Sequence, residues 1–403
     1  MQINDCSLKV EDRSRRLLAA AVLALLLAGC SRPAAMAGAR ESAKPYTYQP
    51  GPVSAFVSMD QIRQGWAATE AKLVPPRVTV KGIYATSYSA ANPAKLNELL
   101  GLIDRTELNA LVVNVKDDWG NITYETDQPI AKAAGSVSPD LKDLNAFTSQ
   151  LKAKHVYGIA RVVTFKDSFV PKYRPDLAVA RTGGGIWRDY NGVPWLNPYH
   201  RGAWDYIVDI ARGAALAGFD EIQFDYVRFP TDGDLSQIVY PGQDSRAKAQ
   251  VIADFLAYAR KELRPYGVWV SADAFGLVTT ASDDMGIGQH LEELSGAVDY
   301  LSPMVYPSHY ISGNLGLSNP NAMPYQTVYR SMLDAKDRWA KAGQTDKVTM
   351  RPWLQDFSWG YPYGVKEVRD QIQATYDAGF KEFLLWNAAN SYTEAALKPA
   401  DKE

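Results

Sequence analysis

The stretch EIQFDYVRFP, residues 221–230, decides how the rest of this sequence is interpreted. Its first six residues have the length and the β-branched and aromatic content of one strand. Successive side chains of a strand point to opposite faces, which places Gln223 and Asp225 together on one face. The apolar Ile222 and Phe224 lie on the other face, which suits packing against helices. Because a buried carboxylate is costly unless it is paired or functional, Asp225 marks the inner face as a candidate site.

Seven further runs of this kind occur along the chain, each followed by a polar loop and a helix-like pattern. The runs recur about every 43 residues, enough for one strand, one helix and their loops. Eight such repeats have one economical closed arrangement, the (β/α)8 TIM barrel. We therefore predict an α/β fold with a TIM barrel over residues 80–397. An open doubly wound sheet is the alternative, but no GxGxxG motif follows an early strand.

Helix starts are indicated by proline. Asn92, Ser138 and Asn197 each precede a proline, the pattern of an N-cap followed by proline in the first turn. Apolar residues three and four apart follow, so each helix has one apolar stripe to place against the sheet. Later helices are predicted near residues 247–263, 325–341 and 364–378.

The N-terminus has the pattern of an export signal. Basic residues at 13–16 precede an apolar run of about 11 residues, which is too short for a bilayer span of ~20. The run ends in LAGC, which resembles the bacterial lipobox. We therefore predict a lipoprotein signal peptide at residues 1–29, with Cys30 as the lipidated residue. A plain secretory signal with an incidental Cys30 is the alternative.

The segment between this signal and the barrel is predicted in two parts. Residues 30–52 are rich in Ala, Pro, Ser and Gly and are expected to form a flexible linker. Residues 53–79 are expected to form a helical extension. The mature chain is expected to be lipid-anchored on the periplasmic side of the envelope, where Ser31 favours the outer membrane, or to be exported. The membrane is thus an expected partner, through the lipid.

Composition excludes several classes of function. The chain has 43 basic and 45 acidic residues, so no basic surplus favours a nucleic-acid partner. Its four histidines are scattered, which leaves little material for a metal site. The glycines at 183–185 open no helix and make a poor phosphate cradle. We expect no metal and no cofactor, and the sequence indicates no particular protein partner.

TIM barrels carry their sites at the carboxyl ends of the strands, where this chain has several carboxylates among aromatic residues. Paired carboxylates suit cleavage of glycosidic bonds, and aromatic faces suit sugar rings. The predicted catalytic residues are Asp225, Asp273 and Asp356. The predicted substrate-binding residues are Lys116, Asp117, Trp119, Trp187, Trp195, Gln223, Arg228, Tyr306, His309, Trp386 and Asn387.

Two of these predictions carry a specific expectation. Trp187 and Trp195 lie in a long glycine-rich loop and are expected to be the least core-like aromatics. Asp225 is expected to pair with Arg228, Lys116 or Arg161. An Asp225–Arg228 pair of purely structural role is the alternative.

Four motifs together resemble a bacterial family of glycoside-hydrolase-like barrels, formerly a domain of unknown function. They are KGIY at 81–84, NVKDDWG at 114–120, EIQFDYVRFP at 221–230 and SADAFG at 271–276. The third is similar to the FDYxRYP strand of related barrels. The resemblance covers about residues 80–395 and implies a TIM barrel that hydrolyses carbohydrate.

A more distant similarity is to the α-amylase clan. Mapped by strand order, it implies Asp225 as nucleophile, Asp273 as acid/base and Asp356 as the third carboxylate. The clan has Glu where this chain has the shorter Asp273.

The leading hypothesis is a lipid-anchored glycoside hydrolase acting on an envelope or exported polysaccharide. The alternative is a non-catalytic glycan-binding barrel of the envelope. A metal-dependent polysaccharide deacetylase is a third possibility, which the scattered histidines disfavour.

Overall fold

Parallel strands form a closed barrel in the computed structural model, which describes residues 75–345 and 347–400. The strands are β1 (Lys81–Ala85), β2 (Ala110–Lys116), β3 (Ile122–Tyr124), β4 (Val137–Leu141), β5 (Tyr157–Val163), β6 (Ala180–Arg181), β7 (Glu221–Asp225), β8 (Ile238–Val239), β9 (Trp269–Phe275), β10 (Tyr300–Met304), β11 (Thr349–Met350), β12 (Trp353–Gln355) and β13 (Phe383–Trp386).

The helices lie between the strands. They are α1 (Ser87–Ala91), α2 (Pro93–Arg105), α3 (Pro129–Ala134), α4 (Leu144–Ala153), α5 (Val170–Tyr173), α6 (Arg201–Leu216), α7 (Lys248–Leu263), α8 (Leu291–Ala297), α9 (Pro324–Lys341) and α10 (Val365–Asp377). None of these described helices is both long and apolar enough to cross a bilayer.

The sheet closes because β1 pairs with both β2 and β13. Between them the order is β5, β7, β9, β10 and β12, all parallel. The seventh barrel position is divided into β11 and β12, which flank Arg351 and Pro352 and both pair with β10. Proline cannot donate a ladder hydrogen bond, which accounts for the interruption. The predicted TIM barrel is confirmed.

Two apolar cores follow from the alternation of side chains along the strands. The outward Phe224 is fully buried and packs edge-on against Phe255 of α7, with ring centroids 5.3 Å apart. An inner cluster fills the barrel with Tyr84, Trp269 and Trp353 among its members. The inner core therefore contains large aromatic rings, and polar side chains are placed among them.

The predicted helix starts are correct in one case of three. Asn92 caps α2 and accepts hydrogen bonds from the first-turn amides. Ser138 lies instead in β4, which pairs with β3, and α4 begins after the N-cap Asp143. Asn197 is followed by a turn, and His200 is the N-cap of α6. Proline is equally compatible with an extended strand, which misled the prediction at Ser138. The three later helices are confirmed as α7, α9 and α10.

The predicted signal peptide, the linker and most of the extension over 53–79 lie outside the described residues. Residues 75–80 lead into β1 without regular secondary structure. Within this stretch the Arg77 guanidinium lies 4.7 Å from the ring centroid of Trp269 and 5.1 Å from that of Tyr300. These rings begin β9 and β10, so residues 75–80 cover the amino-terminal end of the barrel.

Candidate active site

Two acids meet at the carboxyl ends of neighbouring strands. Phe224 of β7 is in register with Ala272 of β9, and each acid is the next residue of its strand. Adjacent strands are about 4.8 Å apart, so Asp225 and Asp273 are close neighbours. Their residues are only 7% and 2% exposed. The structure thus brings together two of the three predicted catalytic residues.

Arg161 of β5 holds Asp225. Its Nε and Nη2 donate to Oδ2 of Asp225 at 2.9 and 2.5 Å. The other oxygen, Oδ1, accepts from the backbone N–H of Tyr226 at 2.6 Å. Tyr226 has a φ of 49°, a left-handed conformation that is uncommon for a residue with a side chain. The strained backbone aims its amide at the carboxylate, which fixes Asp225 and pairs its charge.

Asp118 occupies the other edge of the same guanidinium. Its oxygens accept from Arg161 Nη2 at 2.9 Å and Nη1 at 3.3 Å. The Asp118 side chain is 37% exposed, whereas that of Arg161 is 2% exposed. The sequence analysis did not include Asp118 among the site residues. An arginine on the inner face of the strand beside Asp225 was the signal that could have pointed to it.

Asp273 is held differently. Its Oδ1 accepts a 2.7 Å hydrogen bond from Nε1 of Trp353 in β12. Burial, and next the negative charge of Asp225, raise the pKa of Asp273 well above its usual range. Both influences favour the neutral acid form of Asp273, which lies beside a carboxylate that an arginine pairs.

Contacts across the barrel connect the two acids into a closed circuit. Trp353 packs edge-on against Trp386 with ring centroids 5.6 Å apart, and Trp386 stacks on Tyr84 at 4.1 Å. The Tyr84 hydroxyl accepts from Asn114 Nδ2 at 2.8 Å, and Asn114 Oδ1 accepts from Arg161 Nη1 at 2.8 Å. We call the circuit the inner ring: Asp273, Trp353, Trp386, Tyr84, Asn114, Arg161 and Asp225.

Aromatic side chains extend outward from the inner ring on the loops after β10 and β12. Tyr306 belongs to the inner apolar cluster that also contains Trp353. Burial and the negative charges of Asp273 and Asp225 raise the pKa of its hydroxyl. His309, which is exposed, lies edge-on to Tyr306 at 5.3 Å and to Trp359 at 5.4 Å. Phe357 lies 5.9 Å from Tyr306. We call this set the aromatic rim: Tyr306, His309, Phe357 and Trp359.

Two predicted substrate-binding residues lie inside the barrel wall. Lys116 is fully buried, with Nζ 3.0 Å from Asp167 Oδ2 and donating to the Val163 carbonyl at 2.9 Å. Gln223 is also fully buried and donates from Nε2 to Ser302 Oγ at 3.3 Å. Neither side chain reaches solvent in this structure, and their contact with substrate stays a prediction.

Asp117 and Trp119 lie in the loop after β2. The Asp117 carboxylate accepts from the backbone N–H of Trp119 at 2.9 Å and of Asn121 at 2.8 Å. Its function here is to hold the turn. Trp119 is 49% exposed, so its ring is available to a ligand.

The expectation for Trp187 and Trp195 is wrong, since they are only 2% and 1% exposed. The loop that carries them folds back on itself through antiparallel bridges and covers both rings. Trp187 Nε1 donates to the Asp234 carbonyl at 2.8 Å, and Trp195 Nε1 donates to Asp189 Oδ2 at 3.1 Å. Both tryptophans serve packing in this structure.

Arg228 does not pair with Asp225. Its guanidinium lies 5.0 Å from the ring centroids of both Trp195 and Phe275, and Nη1 donates to Thr231 Oγ1 at 3.2 Å. The alternative prediction of a structural Asp225–Arg228 pair is therefore wrong. Of the three expected partners of Asp225, the one that pairs with it is Arg161.

Asp356 and Asn387 hold the loop after β13. Thr393 donates to both oxygens of Asp356, from Oγ1 at 2.7 Å and from its backbone N–H at 2.8 Å. Asn387 Nδ2 donates to the carbonyls of Asp356 at 2.5 Å and Ser391 at 2.6 Å. These bonds engage Asp356 with the loop rather than with the inner ring.

The chemistry available at this end of the barrel is acid–base chemistry. One neutral carboxyl can donate a proton, and one paired carboxylate can meet positive charge on the other side of a bond. Within residues 75–345 and 347–400, no group of three or more His, Cys, Asp or Glu side chains is arranged to hold a metal ion.

Comparison with known proteins adds a family and a fold. The sequence profile of a family described as "Putative glycosyl hydrolase domain" matches residues 82–392. A hypothetical protein from Ruminiclostridium thermocellum is 34% identical over 51% of this chain and 98% of that chain, with a TM-score of 0.44. The PgaB (BpsB) glycoside hydrolase domain from Bordetella bronchiseptica is 18% identical over 78% of this chain and 95% of that chain, with a TM-score of 0.56. This chain shares the fold of that domain. No curated protein sequence matches the chain.

Proposed function

Since this chain belongs to the glycosyl hydrolase family whose profile matches residues 82–392, we propose that it cleaves glycosidic bonds with Asp225 and Asp273. One observation carries the proposal: the two acids are neighbours that the protein holds in different ways. Arg161 pairs with Asp225, and a buried indole N–H contacts Asp273. Glycoside hydrolysis requires that kind of unlike pair.

In the proposed reaction Asp273 donates its proton to the glycosidic oxygen as the bond to the anomeric carbon breaks. The leaving sugar departs as an alcohol, and the Asp225 carboxylate attacks the anomeric carbon to form an ester. Water then attacks the ester and gives its proton to Asp273, which regenerates both acids. The backbones of neighbouring strands are roughly 5 Å apart, which allows two carboxyl groups to lie at the separation of about 5–5.5 Å found in retaining enzymes. Proton NMR of the first-formed anomer tests this step, and an inverted product would contradict it.

Aromatic rings at the mouth of the barrel, of which His309 and Trp119 are exposed, favour a polysaccharide as substrate. The C–H faces of sugar rings are apolar and stack on aromatic side chains. The aromatic rim leads away from Asp273, and Trp119 stands on another loop of the same mouth. Gln355 stiffens the rim, since it accepts from the Ser308 N–H at 3.1 Å and donates to the Phe357 carbonyl at 2.8 Å. A sugar chain longer than one residue could contact both sides.

The experiment is a screen of the purified protein against cell-wall and exported polysaccharides, with detection of new reducing ends. Asp273→Asn should abolish product formation, because the amide has no acidic proton to donate. Asp127→Asn is the matched control, since the Asp127 side chain is 99% exposed and pairs with Lys132 rather than with a residue of the site. Turnover that persists unchanged in Asp273→Asn would contradict the proposal.

A non-catalytic glycan-binding barrel is the second candidate. It is favoured by the hydrogen bonds that already occupy both oxygens of Asp225. It is also favoured by Asp273 at a position where the α-amylase clan has Glu. Glycan binding without product, unaffected by Asp225→Asn and Asp273→Asn, would support this candidate.

We also propose that the protein acts from a membrane, as a lipoprotein of the periplasmic side of the envelope. The LAGC motif that ends at Cys30 supports this placement. Labelling of cells with radioactive palmitate should mark the wild-type chain and not Cys30→Ala. An unlabelled wild-type chain would contradict the lipid anchor.

A further inference from the structure

Trp353 contacts the acid Asp273 from across the barrel. It lies in β12, is buried, and brings its Nε1 to 2.7 Å from Oδ1 of Asp273. An indole N–H can only donate, so Oδ1 must accept. In a neutral carboxyl the carbonyl oxygen is the better acceptor, which leaves the hydroxyl on Oδ2.

We propose that Trp353 is a positioning residue that keeps the acid proton of Asp273 on Oδ2. The inference rests on the proposed role of Asp273 as proton donor. It assigns to Oδ2 the transfer of the proton to the glycosidic oxygen, and to Oδ1 a fixed contact with the protein.

The neighbours of Trp353 make this arrangement rigid. Its ring meets Trp386 at an angle of 85°, and Trp386 in turn stacks on Tyr84 with an angle of 21° between the ring planes. The indole therefore cannot turn without displacing the two rings. If Asp273 rotated away, a buried N–H would lose its partner, which proteins rarely tolerate. The two carboxyl oxygens thus stay distinct.

The bond also opposes the two largest influences on the pKa of Asp273. Burial and the charge of Asp225 raise the pKa of Asp273, whereas the N–H of Trp353 lowers it. A donor at Oδ1 favours the carboxylate over the neutral acid. Trp353 consequently favours release of the proton, as do the positive charges of Arg161 and Arg351. Removing the N–H should raise the pKa, and removing the Asp225 charge should lower it.

The test is an NMR titration of the full chain labelled with carbon-13 at the aspartate side-chain carboxyl, which leaves glutamate unseen. The Asp273 signal is the one lost in Asp273→Asn. Trp353→Phe keeps a ring and removes the N–H, and it should move the Asp273 midpoint upward by about one pH unit or more. Trp339→Phe is the matched control, because it also removes a buried indole N–H, which donates to Ser295 Oγ at 2.6 Å.

The inference is overturned if Trp353→Phe leaves the Asp273 midpoint where Trp339→Phe leaves it, or lowers it. Should Trp353→Phe fail to fold, the nitrogen-15 indole signals of the wild-type protein decide. One of them must shift with the same midpoint as the Asp273 carboxyl, and if none does the inference is wrong. The titration needs no substrate, so it is separate from the proposed function. Hydrolysis that persists in Asp273→Asn would overturn that function alone.

Discussion

Each end of the barrel interior contains an arginine between two carboxylates. The two clusters are the upper one, of Arg161 with Asp225 and Asp118, and the lower one, of Arg351 with Glu221 and Glu382. The same strand links them, since Glu221 begins β7 and Asp225 ends it. The two clusters differ in access to solvent. The upper cluster is accessible and suits chemistry, whereas the lower cluster is buried and suits stability.

The lower cluster is sealed. Glu221 and Arg351 are fully buried and directly hydrogen-bonded. Glu221 also accepts from the Tyr157 hydroxyl at 3.2 Å, and the Arg351 guanidinium lies 4.7 Å from the Tyr300 ring centroid. Removing Glu221 from this buried pair is costly, because the carboxylate that remains, Glu382, is 3.7 Å from Arg351.

The upper cluster is open on one side. Asp118 reaches solvent, and Arg161 has a neutral partner in Asn114 besides its two carboxylates. Loss of one carboxylate leaves Arg161 with other acceptors. The functional end of a TIM barrel is the carboxyl end, where the upper cluster lies.

The largest expected effect concerns Asp225. Asp225→Asn should lower turnover on any substrate found in the screen by roughly 10³-fold, since the amide neither attacks nor carries charge. Asp225→Asn should also lower the free energy of unfolding, but by much less than Glu221→Gln in the lower cluster. The reason is that Arg161 keeps Asp118 and Asn114 as partners. Initial rates and thermal unfolding check the two effects. Equal destabilisation by upper and lower variants would break the comparison.

The next effect is on stability. Glu221→Gln should lower the free energy of unfolding by about 3–5 kcal/mol, because it leaves Arg351 buried with a weakened partner. Denaturant unfolding followed by circular dichroism measures it. The control is Glu98→Gln, whose side chain is 63% exposed and pairs with the neighbouring Lys95. If Glu221→Gln matches that control, the lower cluster has no stabilising role.

A third effect depends on pH. Burial, and then the negative charge of Glu221, raise the pKa of Glu382 to about 7, against the opposing effect of Arg351. Between pH 4.5 and about 7 the folded chain therefore keeps a proton on Glu382 that the unfolded chain has released. Stability is full below the unfolded pKa and falls as pH rises through 7, by up to ~3 kcal/mol.

Glu382→Gln should remove this fall in stability, so its melting temperature should decrease less than that of the wild-type protein between pH 5 and 8. The pH dependence of the melting temperature is called the slope below. Glu394→Gln, at a side chain that is 50% exposed, serves as the control and should keep the slope. An unchanged slope in Glu382→Gln would show that the lower cluster does not titrate there.

The smallest expected effect is at Asp118. Asp118→Asn should change the free energy of unfolding by no more than about 1 kcal/mol, because Asp118 reaches solvent and Arg161 keeps Asp225 and Asn114. Turnover should fall on the order of tenfold, because Arg161 is less firmly oriented toward Asp225. Kinetics and thermal unfolding of this variant sharpen the contrast with Glu221→Gln. A stability loss as large as that of Glu221→Gln would contradict an open upper cluster.

The parts of the molecule that depend on local pattern could be predicted from the sequence. The period-2 alternation in β7 placed Asp225 inside, and the strand repeat predicted the barrel. The contacts of Arg161 with Asp118 and of Trp353 with Asp273 could not be predicted, since they join segments far apart in sequence. The burial of Trp187 is of the same kind, because it depends on how a long loop folds back.

The central claim is that Asp225 and Asp273 form an unlike pair, one paired with an arginine and one protonated. Carbon-13 titration of the labelled aspartates in wild-type protein and in Asp225→Asn tests it most directly. The account expects the Asp273 carboxyl to be neutral at pH 7 and to titrate at lower pH once Asp225 has lost its charge. An Asp273 that is already ionised at pH 7, with a midpoint unchanged in Asp225→Asn, would contradict it.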